Sequence, residues 1–155
     1  LYADQVAKNW SPVLTYMILF LVNTLFLITF RWLASFRPAV KPAFWFTHTI
    51  ALAAVSCETI GLTMGIWLQK KPVFYVLLLA ALILYGLTLM YALKMKSLYY
   101  LAIIGFSTII ITSAELIQIS NNEYMFLLVT IFIITSVTLL IKKMIDLQKK
   151  WHYEK

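Results

Sequence analysis

The sequence predicts an all-α integral membrane protein, a single domain built as a bundle of five transmembrane helices with the N-terminus outside and the C-terminus in the cytoplasm. Three observations predict it. Of the 155 residues, 63% are hydrophobic and only 12% charged, and the mean hydropathy is strongly positive; a soluble domain of this size could not hide so much apolar surface. The apolar residues gather in five runs, each able to cross a hydrocarbon core of about 30 Å at about 1.5 Å per residue. The basic residues fall between and after those runs, where membrane proteins carry their topology signals. The net charge of +7 therefore reads as orientation, and nucleic acid is not a predicted partner.

The chain opens with LYADQVAKNWSP, a short lead whose Trp10 and Pro12 suit an interface and a helix start. Leu1 begins it with no basic, apolar signal peptide, which predicts an N-terminus that is processed, trimmed or cut from something larger. The first span is predicted at about 12–33, apolar except for Asn23 near its middle. The connection ASFRPAVKP carries two prolines and two charges, as a loop should. The second span, about 44–68, ends at Gln69-Lys70-Lys71-Pro72. A third span at about 73–93 is followed by the short turn Lys94-Met95-Lys96-Ser97, which forces an antiparallel neighbour. The fourth covers about 98–119, Ser120-Asn121-Asn122-Glu123 turns the chain, and the fifth covers about 124–141. Residues 142–155 form a basic cytoplasmic tail helix that continues the fifth span or lies along the membrane surface, where each lysine near anionic lipid adds roughly 1 kcal/mol.

Orientation follows from the basic residues. With the N-terminus outside, Arg31, Arg37, Lys41, Lys94, Lys96 and the lysines of the tail gather inside, leaving Lys8, Lys70 and Lys71 outside. Tryptophans 10, 32, 45 and 67 fall at the ends of the first two spans, as an interfacial belt requires.

Within the second span, steps of four and three residues connect Thr47, Ala51, Ala54, Glu58, Gly61 and Gly65. Every member is small or polar. In lipid such a stripe lets helix backbones approach closely, so Glu58 is predicted to face protein. The fourth span carries a similar stripe, Leu101, Gly105, Thr108, Thr112 and Glu115, which predicts that the two helices pack together. Counted from the span ends, Glu58 and Glu115 fall at similar depth, with Asn23 at a comparable level. These residues, with Thr112, Ser113 and Gln118 nearby, are the predicted polar cluster where the first, second and fourth spans meet. No Lys or Arg lies at that depth. The carboxyls are therefore protonated, or hold a cation, or line a wet cavity, and an intramembrane ionisable group is expensive enough to suggest function. The plainer alternative is a single protonated Glu58, hydrogen-bonded across a helix interface as structural glue.

Catalysis is not predicted. His48 and His152 do not form a pair across the bilayer, and the lone Cys57 excludes an internal disulfide and a cysteine-based zinc cluster. No Gly-rich phosphate loop appears, and no nucleophile has a base at its own depth. No cofactor or metal is expected. The sequence reads as a small non-enzymatic subunit or transport module that handles a proton, cation or small polar ligand, in a bacterial-type plasma membrane and with a second copy or other membrane subunits as partners. A sensor or scaffold signalling through the C-terminal helix is the alternative.

Overall fold

The computed structural model describes residues 12–36, 43–68, 72–119 and 123–153. They form five helices: α1 (Pro12–Phe36), α2 (Phe44–Trp67), α3 (Pro72–Lys94), α4 (Leu98–Ile119) and α5 (Glu123–Tyr153). All five are long and apolar enough to cross a membrane. The lead with Trp10, the Lys70-Lys71 pair and the Ser120–Asn122 turn lie outside the described residues. Pro12 and Pro72 each open a helix, where the missing N–H costs nothing.

Helix α2 is the hub, touching α1, α3 and α4, while α5 packs on α4 alone among the described helices. Half of the α2 span is buried against 6% of that of α5. The predicted stripe explains this. Ala51, Ala54, Glu58, Gly61 and Gly65 are all buried. A Cβ on Gly65 would stand 2.4 Å from Cδ2 of Phe74 on α3, and one on Gly61 would stand 2.9 Å from Cδ2 of Leu77 and 3.0 Å from Cβ of Tyr16 on α1. The bare backbone admits two neighbours at once, and Leu62, Ile66, Phe74, Leu77 and Phe20 fill the space around it.

The predicted pairing of the α2 and α4 stripes is not what forms. The face that α4 turns inward carries Tyr100, Ile104, Ser107 and Ala114, each one residue before a member of the predicted stripe and so about 100° round the helix. Gly105 instead meets α5, where its Cβ would stand 2.6 Å from Cδ1 of Leu140. Thr108 and Thr112 bond back to their own helix, to the carbonyls of Ile104 (2.9 Å) and Thr108 (2.8 Å). Bulk decides between the faces: tyrosine and isoleucine fill the space beside α2 better than threonine does.

The tail continues α5 without a break through Tyr153. No Pro or Gly interrupts the 31 residues of this helix, which makes it about 46 Å long against about 33 Å for α4. Helix α3 ends differently. Ser97 N–H donates to the Ala92 carbonyl (2.9 Å) and Lys96 N–H to that of Leu93 (3.3 Å), the bonding of a Schellman turn. Lys96 occupies its left-handed position, with φ of 52°, where glycine is usual and any other side chain costs about 1 kcal/mol.

Candidate functional site

Glu58 is completely buried, with 0% of its surface exposed. It sits between Ala54 and Gly61 on the stripe of α2, where α3 and α1 approach closely at Gly61. Neither Oε1 nor Oε2 has a hydrogen-bonding partner. The hydroxyl of Tyr85, on α3, lies beside the carboxyl group, near enough to interact with it but outside hydrogen-bonding geometry.

Tyr85 instead begins a chain of hydroxyls across three helices. Its phenol bonds to Ser107 Oγ on α4, and Ser107 bonds to Thr59 Oγ1 on α2. Thr59 donates to the Val55 carbonyl at 2.7 Å. A hydroxyl has one proton to give, and a carbonyl has none. The Thr59 proton is therefore committed to Val55, so Ser107 must donate to Thr59 and Tyr85 to Ser107. The chain has a direction, and it presents to Glu58 only the lone pairs of the Tyr85 oxygen.

Two openings flank this cluster. A groove of about 590 Å³ between α2 and α4 has Thr59 and Ser107 in its wall, with Val55, Ile60, Phe106 and Ile110 around them. A tighter cavity of about 290 Å³ between α1, α2, α3 and α4 is lined by Ala54, Leu84, Thr88, Tyr91 and Tyr100, and by Thr24, whose buried hydroxyl has no partner. Both are walled chiefly by apolar side chains.

The other predicted members of the cluster lie elsewhere. Helices α2 and α4 run parallel, in a register set by the Thr59–Ser107 bond and by the Tyr99 hydroxyl on the His48 carbonyl (2.7 Å). In that register Glu58 stands level with Phe106. Glu115 lies about nine residues further along, roughly 13 Å away on the axis, half-buried near the end of α4. Depth counted from helix ends misplaced it because α4 is shifted along α2. Asn23 is half-buried on α1 and donates its Nδ2 to the Leu19 carbonyl at 2.8 Å. Opposite Tyr16–Gly61 and Phe30–Phe46 contacts, it falls about one turn nearer the α2 N-terminus than Glu58. Thr112 is exposed, and Ser113 is buried but bonds to its own helix, to Ile109, at 2.7 Å. The site thus joins α2, α3 and α4 in place of the expected first, second and fourth spans.

Sequence reading missed Tyr85, Thr59 and Ser107. Tyr85 carried a signal. It stands mid-span, away from either interface, where a phenol must find a partner inside the protein. His48 is half-buried against the rings of Tyr99 (4.4 Å) and Tyr100 (5.2 Å). Among the described residues, no group of three or more His, Cys, Asp or Glu side chains could hold a metal. No protein-family model, curated protein or solved structure matches the chain.

Proposed function

We propose that this chain is a non-enzymatic module of a membrane in which Glu58 takes up and releases a proton, and that it works in transport. The observation that carries this reading is a carboxyl group of zero exposure with both oxygens unpartnered, facing the acceptor side of a hydroxyl chain. A charge in the centre of a span costs about 3 kcal/mol on the mildest scales, and a typical interhelical hydrogen bond returns about 1 kcal/mol or less. Here no bond is present to offset the charge. The neutral acid fits, because its own O–H can turn to the Tyr85 oxygen. The basic residues support an N-out, C-in orientation, in a bacterial-type plasma membrane. The apolar faces that α5 leaves uncovered on every side but one support assembly with a second copy or with other membrane subunits.

Difference infrared spectroscopy of the carboxylic C=O band tests it, on wild type and Glu58→Gln in lipid, as pH is stepped from about 5 to about 9. A band absent from the Gln variant that titrates in this range supports proton exchange. A band that answers to added cations and not to pH moves the site to cation binding. A pH-independent band, with a Gln variant that behaves as wild type, makes Glu58 structural and removes the transport reading.

The unbroken course of α5 favours a second reading, a sensor or scaffold. A helix about 46 Å long outruns a hydrocarbon core of about 30 Å and couples the bundle mechanically to whatever lies beyond it. An inserted Gly-Gly pair after Lys150 would abolish signalling in that case and leave proton exchange intact.

A further inference from the structure

At the end of the bundle where α3 stops and α4 starts, a groove of about 920 Å³ separates the turn between them from the last turns of α5. Lys94 and Lys96 line it from the turn, Lys149, Trp151 and His152 from α5, and Met95 and Leu98 are also in its lining. No acidic residue among the described residues lines it. Helices α4 and α5 are antiparallel with Gly105 against Leu140, so Leu98 is level with about residue 147 of α5 and the groove opens where the apolar spans end.

Lys96 is unusually placed. It holds the left-handed position of the Schellman turn, where glycine would relax the backbone. An unfavourable residue at such a position points to a use for its side chain. That side chain belongs to the wall of the groove.

We propose that this groove is a binding site for the phosphate headgroup of an anionic phospholipid. The ammonium groups of Lys94, Lys96 and Lys149 complement the phosphate charge, and the indole of Trp151 suits the level of the headgroups. Leu98 and Met95, in the same lining, offer apolar surface to the first carbons of the acyl chains. A free phosphate ion would have no use for that apolar surface, which is why the lipid is the occupant.

Binding is measured by native mass spectrometry of the full chain, released from detergent and titrated with phosphatidylglycerol or phosphatidylcholine. The expected result is a preference for phosphatidylglycerol of about tenfold or more, lost in Lys94→Gln/Lys96→Gln/Lys149→Gln. The charge-matched Lys142→Gln/Lys143→Gln/Lys150→Gln, on exposed positions outside the groove, retains it. Lys96→Gly lowers the affinity severalfold while its melting temperature, without added lipid, does not fall. Equal losses in the two triple variants would reduce the site to diffuse surface charge and overturn the proposal. Equal binding of the two lipids would overturn it too, as would inorganic phosphate competing at the concentration at which the lipid binds.

Discussion

Thr59 on α2 and Ser107 on α4 share a hydrogen bond that fixes how far one helix is shifted along the other. The same bond places Ser107 between the Tyr85 phenol and the α2 backbone, so packing register and polar connectivity are set by one contact. In a background of Cys57→Ser, the double variant Thr59→Cys/Ser107→Cys should form a disulfide under mild oxidation. Thr59→Cys/Glu115→Cys should not. Its sites are eight residues apart in register, roughly 12 Å, well beyond the Cα separation of about 7 Å that a disulfide can span. Cross-linking of the second pair would refute the register.

Ser107→Ala removes the acceptor to which Tyr85 gives its proton. The phenol is then free to turn and donate to Glu58. We expect the carboxylic C=O band of Glu58 to move to lower frequency, as a carbonyl does on accepting a hydrogen bond, with a loss of stability of about 1 kcal/mol. Tyr85→Phe, which has no proton to offer, should not produce that shift. An unmoved band in Ser107→Ala would contradict the direction assigned to the hydroxyl chain.

Gly65→Ala tests the close approach of α2 and α3. Three atoms of Phe74, including its Cβ, lie within 3.3 Å of the added methyl position, so the ring cannot simply swing aside. Unfolding in mixed micelles should show a loss of about 1–3 kcal/mol. Gly86→Ala adds its methyl to open space and should be neutral or stabilising by up to about 1 kcal/mol. Equal effects of the two would mean that small residues are not what lets these helices meet.

Orientation is open to a labelling test. With Cys57→Ser as background, Leu68→Cys at the end of α2 and Met95→Cys in the turn after α3 lie at opposite ends of the bundle. In intact cells a membrane-impermeant maleimide should label position 68 and spare position 95. The reverse pattern would invert the proposed topology and carry the lysine groove to the outer surface.

The spans were legible because five apolar runs separated by prolines and charges leave few alternatives; the fourth begins and ends where expected, at Leu98 and Ile119. The stripe of α2 was legible too, since alanine, glycine and a carboxyl group repeated at helical spacing have no reason to face lipid. The inward face of α4 was not. Two stripes one residue apart both repeat at helical spacing, and both mix small and polar residues. Choosing the one that holds Gly105 and Glu115 ignored the volume that Tyr100 and Ile104 supply. Register between helices is a property of contacts, and no count from helix ends contains it. That is why Glu115 was placed beside Glu58, and why Tyr85, whose importance depends on which helix faces it, was passed over.

Three hydroxyls in series obey an ice rule. With one proton each, they can all point toward Val55, as they do here, or all toward Glu58; any mixed arrangement leaves a contact inside the row with no proton or with two. The row therefore has two clean settings and a penalised transition between them. Removing a proton from Glu58 would favour the opposite setting and free the Val55 carbonyl from Thr59, a full helical turn below the carboxyl group. Occupancy at one end of the row would then be read as bond polarity at the other, with no helix required to move.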